Sequence, residues 1–205
     1  MLTKVLLVCW PILISVLAYF YKQKQNGPKA MTGGPISTPK AFWLAYTVST
    51  WFFLPLLFIF HPDVTVPLKY IIGFHLISWW ARGPLELVMI YKWFNWTPRY
   101  GIAHDTFHLV GLIILYFIHR NSLMNLSPIN NIVIAFVCIT IFATVAEISF
   151  AYLFLKARSE LEERENIYFA SDDPKWIFIN RLTLAVVCAV MSHLICQSLY
   201  AFLVL

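Results

Sequence analysis

Charge is what this chain most lacks. Lys, Arg, Asp and Glu together make up 12% of its 205 residues, about half the share found in soluble domains. So few charges cannot cover a globular surface, which excludes an ordinary water-soluble fold. Other signatures are missing as well. Four cysteines, Cys9, Cys138, Cys188 and Cys196, all fall in apolar runs and form no C-x-x-C pair, so neither a disulfide framework nor a zinc module is expected. There is no G-x-S-x-G, no phosphate-binding glycine loop and no G-x-G-x-x-G. H-E-x-x-H is absent because Asp105 follows His104, and six histidines are too few for the eight-histidine di-iron pattern of membrane desaturases. Asn95-Trp96-Thr97 and Asn125-Leu126-Ser127 match the glycosylation sequon, but each is followed by proline and lies beside an apolar run, so both are discounted. No small-residue cleavage site follows the first apolar stretch; Tyr21-Lys22-Gln23-Lys24 does, which favours a retained anchor over a cleaved signal.

What is present is oil. Hydrophobic residues make up 60% of the chain and the mean hydropathy is +0.72. Six apolar segments can be drawn, at about 2–21, 41–60, 67–91, 103–119, 131–155 and 176–205. A hydrocarbon core of about 30 Å takes roughly 20 helical residues to cross, and unpaired backbone cannot face lipid. The expectation is therefore an all-α polytopic protein: a single-domain bundle of six transmembrane helices.

The net charge of +5 does not mark a nucleic-acid surface, because the bases are confined to particular connections. The first, third and fifth loops, with Arg181 just beyond, hold eleven of them; the N-terminus and the second and fourth loops hold Lys4, Lys69 and Arg120. Under the positive-inside rule the odd loops face the cytoplasm and both termini face the other side. Trp43, Trp51, Tyr70, Trp93, Trp96, Tyr100 and Trp176 sit near segment ends, as an interfacial aromatic belt does. The charged stretch 156–175 is expected to carry the fifth helix into water, with Asp172-Asp173-Pro174 capping the sixth. The rule fixes orientation but does not separate a bacterial inner membrane from an organellar or endoplasmic-reticulum one.

Against this background a few polar residues stand out. The third segment carries His75, Arg82 and Glu86, at spacings that put all three on one helical face. The stretch RYGIAHDTFHL carries His104, Asp105 and His108, and the fifth segment carries Glu147. With a helical rise of about 1.5 Å per residue, Arg82, Glu86, His104, Asp105, His108 and Glu147 fall at similar depths in the cytoplasmic half. His75 and His193 form a second, deeper layer, with Gln197 one turn beyond. An ionised group facing lipid at mid-helix costs roughly 2.5–3.5 kcal/mol, so these side chains are expected to turn inward around a shared pocket.

Three uses of such a pocket follow from its chemistry. The leading one is a membrane-embedded enzyme acting on a lipid, isoprenoid, sterol or quinone-like substrate. Glu86, His104, His108 and Glu147 are its candidate catalytic groups, and Arg82, Asp105 and Trp79 its candidate substrate contacts. The same four catalytic side chains make an N/O ligand set for a divalent iron, zinc or manganese ion. A haem held between His75 and His193 needs only two facing imidazoles, although each alone is better read as a hydrogen-bonding packer. A small proton-coupled transporter and a helical subunit of a larger membrane complex are the alternatives. The expected partners are membrane lipids and, in the last case, other membrane subunits; nucleic acid is not among them.

Overall fold

The structure is a computed structural model, and it describes residues 1–26, 37–92, 98–123, 127–159 and 174–205. The belt residues Trp93 and Trp96, the charged run 160–173 with Asp172 and Asp173, and most of both sequons lie outside the described residues. Seven α-helices follow in order: α1 (Leu2–Gln25), α2 (Thr38–Tyr46), α3 (Leu54–Ile59), α4 (Val66–Tyr91), α5 (Pro98–His119), α6 (Pro128–Ser159) and α7 (Pro174–Val204). A π-helical turn, Thr47–Trp51, joins α2 to α3, and a 3₁₀ turn, Arg120–Leu123, follows α5. No strand occurs among the described residues.

The prolines write most of the helix starts. Pro39, Pro55, Pro67, Pro98, Pro128 and Pro174 each occupy the first or second position of a helix, where a missing N–H removes no intrahelical bond. Ser37 adds a cap by accepting from the Lys40 amide at 3.3 Å.

The helices close into a ring: α4 packs on α5, α5 on α6, α6 on α7, α7 on α1, α1 on α2, and α3 back on α4. Large apolar side chains point outward over the bundle, among them Ile12, Phe20, Ile77, Phe107, Phe142 and Phe202. The interior holds Trp51, Trp79, Tyr46, Phe58 and Phe136 together with polar groups. An inventory turned inside out in this way suits a solvent as apolar as the core. Among the described residues, five helical stretches are long and apolar enough to span a membrane: Leu2–Gln25, Thr38–Ile59, Pro98–Leu123, Pro128–Leu153 and Ile177–Val204. The chain is a multi-pass membrane protein. The expected segment 67–91 does form a helix, the 26-residue α4, but it falls outside those five. Lys69, His75, Arg82 and Glu86 interrupt its apolar run.

Interhelical polar bonds tie the ring. The Gln197 amide donates to the Ile132 carbonyl at 2.8 Å, joining α7 to α6. The Ser198 hydroxyl lies 2.8 Å from the carbonyls of both Leu7 on α1 and Leu194 on its own helix; its single proton is shared between them. Asn130 at the start of α6 accepts from the Thr65 amide and donates to the Asp63 carbonyl, each at 3.0 Å, pinning the α3–α4 turn.

Candidate functional site

Arg82, on the inner face of α4, is met by carboxylates from three helices. Its Nε donates to Oε1 of Glu86, one turn along α4, at 2.9 Å. Its Nη1 donates to Oδ1 of Asp105 on α5 and reaches Oε2 of Glu147 on α6 at 3.4 Å. The guanidinium lies over the Trp79 ring, 4.5 Å from its centroid, a desolvated cation–π contact worth about 2 kcal/mol. Glu147 is held from its other side: Oε1 accepts from the indole N–H of Trp43 on α2 at 2.9 Å. Arg82 and Asp105 are buried, whereas the side chains of Glu147 and Glu86 keep 14% and 25% of their surface. The two glutamates are thus the open edge of the cluster. With all groups ionised, three carboxylates face the Arg82 guanidinium, and the Lys40 ammonium also acts on Glu147 and Glu86, which leaves one carboxylate in excess of the two cations.

His104 extends the cluster along α5. Its Nδ1 lies 3.2 Å from Asp105 Oδ1, and its Nε2 lies 3.0 Å from both the hydroxyl and the carbonyl oxygen of Ser78. His108, one turn on, is fully buried, and its Nε2 meets His75 Nδ1 at 3.2 Å and the Trp79 indole nitrogen at 3.3 Å. His75 Nε2 then lies 3.2 Å from the main-chain carbonyl of Trp51.

That carbonyl is free for a reason visible in the chain. The amide four residues after Trp51 would normally occupy it, and that position is Pro55, which has no N–H. The next amide, Leu56, bonds to Phe53 instead, so the Phe52 carbonyl accepts from the Trp80 indole at 3.0 Å. The π turn and the proline thus present two unpaired carbonyls to α4, and an imidazole and an indole take them. Gly83 allows the close approach: a Cβ there would sit 2.7 Å from the Phe52 ring.

The six residues expected in one layer, Arg82, Glu86, His104, Asp105, His108 and Glu147, lie on α4, α5 and α6 and connect through the contacts above. Among the described residues no three His, Cys, Asp or Glu side chains are grouped to hold a metal ion, and the set His104, His108, Glu86 and Glu147 does not converge. Its carboxylates face Arg82, and His108 faces His75 and Trp79. Both nitrogens of His75, expected in a layer with His193, are engaged, by His108 and by Trp51. His193 Nε2, on α7, is buried without a partner. Trp79 and Asp105, expected at the substrate, are each 1% exposed and serve other side chains of the cluster. Sequence reading missed Trp43, Ser78 and the Trp51 carbonyl. Pro55, four residues after Trp51, was the available signal for the last; Trp43 and Ser78 had none.

A groove between α2, α6 and α7 opens beside the cluster. It is lined by Lys40, Trp43, Phe150, Leu182, Thr183 and Val186. Trp43 is common to both, so one indole separates the groove from Glu147. The Lys40 ammonium lies 4.3 Å from the Phe150 ring centroid. Comparison with family models, with curated proteins and with solved structures yields no match.

Proposed function

We propose that this chain is a membrane-embedded enzyme that moves protons to and from a lipid-like substrate, such as an isoprenoid, a sterol or a quinone, by acid–base chemistry. The observation that carries the reading is the surplus of carboxylates: three around the Arg82 guanidinium, with the Lys40 ammonium as the second cation acting on Glu147 and Glu86. A carboxyl group in a low-dielectric site can take up a proton and give it back. Glu147 and Glu86, at the open edge, are the groups that exchange it. Arg82 and Asp105 hold them in place, and His104 links the cluster to the buried histidines. The groove beside Trp43 is small and would admit only the polar end of such a substrate. Lys40 and Thr183 lie at its polar positions, and Phe150, Leu182 and Val186 at its apolar ones.

This reading includes α4 as a sixth span. It is long enough at 26 residues, its Arg82 and Glu86 are paired within the bundle, and the bias of bases among the loops then puts both termini on the non-cytoplasmic side. The membrane's lipids are the expected partners and the substrate source.

A substrate-independent assay tests the function. The protein in nanodiscs is incubated with a total lipid extract in heavy water, and lipids are screened by mass for deuterium uptake or isomerisation. One lipid class should change, and Glu147→Gln should slow that change by at least about 100-fold, the scale of general acid–base catalysis. No change in any lipid overturns the proposal. A second reading, a proton-coupled carrier, is favoured by the continuity of proton-holding groups from Glu147 through Asp105 and His104 to the neighbouring His108 and His75. Uptake into liposomes that collapses with the pH gradient would establish it instead.

A further inference from the structure

The contacts around His75 and His108 do not fit two neutral rings. A main-chain carbonyl only accepts, so the contact with Trp51 puts a proton on His75 Nε2. A neutral His75 then has a bare Nδ1, and this atom faces His108 Nε2 at 3.2 Å. The Trp79 indole, which only donates, points at the same His108 Nε2 at 3.3 Å. If His108 carries its proton on Nε2, it donates to His75 and the indole loses its acceptor. If His108 Nε2 is bare, the indole is satisfied but two lone pairs face each other between the rings.

One added proton removes the conflict. His75, as an imidazolium, donates from Nε2 to Trp51 and from Nδ1 to His108. His108, protonated on Nδ1, presents a bare Nε2 to both His75 and Trp79. The open end is already there: His108 Nδ1 has no partner among the described residues, in a fully buried ring, and a buried polar atom left unpaired is costly.

We propose that His75 and His108 form a two-ring proton relay, in which a proton taken up at His108 Nδ1 comes to rest on His75. The incoming proton, from an O–H or C–H acid or a water, bonds to the lone pair of Nδ1. The N–H bond at His108 Nε2 breaks, leaving its electron pair on that nitrogen, and the released proton bonds to His75 Nδ1. The pair gains one proton and one positive charge, and no heavy-atom bond changes. The relay rests on the acid–base reading above for the use made of the proton, not for its movement.

The surroundings are charged on one side only. On α5, His104 lies nearly parallel to His108, centroids 6.1 Å apart, and Asp105 bonds to His104 and Arg82. On α4, Arg82 lies over the Trp79 ring. From α6, Phe136 meets His75 edge-on with centroids 5.3 Å apart, and Glu147 reaches Arg82. The π turn offers the Trp51 carbonyl, and the Trp51 indole in turn lies 3.3 Å from the Tyr46 hydroxyl. Arg82 carries its positive charge beside Trp79, and three carboxylates surround it.

Nitrogen-15 NMR of the histidine-labelled full chain in nanodiscs tests the relay without any substrate. His75→Gln and His108→Gln assign the rings. Should either variant fail to fold, the through-hydrogen-bond coupling between Nε2 and Nδ1 identifies the pair in the unaltered protein. At alkaline pH each ring should show a protonated Nε2 and a bare Nδ1. On acidification His108 should switch to the Nδ1–H form while His75 gains its second proton, at one shared midpoint. Trp79→Phe, which removes the indole donor, should move that midpoint to lower pH by up to about one unit. Rings that change at separate pH values, a His108 that becomes doubly protonated, or no change before helical circular dichroism is lost would each overturn the relay. A shared switch in a protein that alters no lipid would overturn the proposed function alone.

Discussion

The ring of Phe74 on α4 lies against Gly111 on α5 so closely that a methyl group on Gly111 would overlap it. The same ring runs nearly parallel to His108, with planes 5° apart and centroids 5.7 Å apart. Gly111 thus seats the aromatic side chain that flanks the buried histidine. Gly111→Ala should destabilise the protein by about 1–3 kcal/mol, the usual cost of overpacking. Phe74→Leu in the same chain should recover part of that loss, because the two changes are coupled. Thermal unfolding of the single and double variants in detergent measures the coupling; strict additivity would mean that the ring does not depend on the glycine.

Arg82 holds three carboxylates and one aromatic face. Its removal leaves buried negative charge uncompensated. Arg82→Gln should therefore cost about 3–5 kcal/mol, the scale for breaking a buried ion pair by losing one partner. Arg82→Lys keeps the charge but loses the planar fork that reaches several acceptors, so it should fall between the parent and the Gln variant. The ranking is read from unfolding temperatures; a Lys variant no better than Gln would mean that fork geometry, rather than charge, holds the cluster.

How far this arrangement could be read from the chain differs by feature. The helices were legible because apolar runs interrupted by proline leave little choice in a membrane. The Arg82–Glu86 pair was legible because four residues make one turn. Relative level along the helices could be counted from the constant rise per residue, and so contacts among α4, α5 and α6 could be expected. Rotation about each helix axis was not. It depends on packing, which is why His75 was expected to match His193 at similar depth and instead meets His108. Trp43 and Glu147 lie 104 positions apart, and no local spacing links them. The free Trp51 carbonyl was half legible: Pro55 removes its helical donor, but the π turn that aims it at α4 has no clear sequence mark.

The Trp43–Glu147 bond crosses from α2 to α6, where α2 otherwise packs on α1 and α7. Trp43→Phe keeps most of the ring but leaves Oε1 of Glu147 without its donor, at an expected cost of about 1–3 kcal/mol. Glu147→Gln keeps an acceptor for the indole, so Trp43→Phe should cost less in the Gln background than in the parent. A double-mutant cycle on unfolding temperature reads that difference. Equal costs in both backgrounds would show that the carboxylate charge adds nothing to the bond.

The sixth span is the point at which composition and packing disagree. The polar side chains of α4 keep it out of the set of helices apolar enough to cross a membrane unaided, yet Arg82 and Glu86 are compensated within the bundle and Ile77 and Trp80 point outward. If α4 crosses, the exposed Asp63 in the turn before it and the exposed Lys92 at its end lie on opposite sides. The four native cysteines are first replaced by serine, and Asp63→Cys and Lys92→Cys are then made one at a time. An impermeant maleimide added to right-side-out membranes should label position 63, and position 92 only after the membranes are opened. By the bias of bases, position 92 is the cytoplasmic one. Labelling of both positions from one side would remove α4 from the spans and with it the assignment of both termini to the same face.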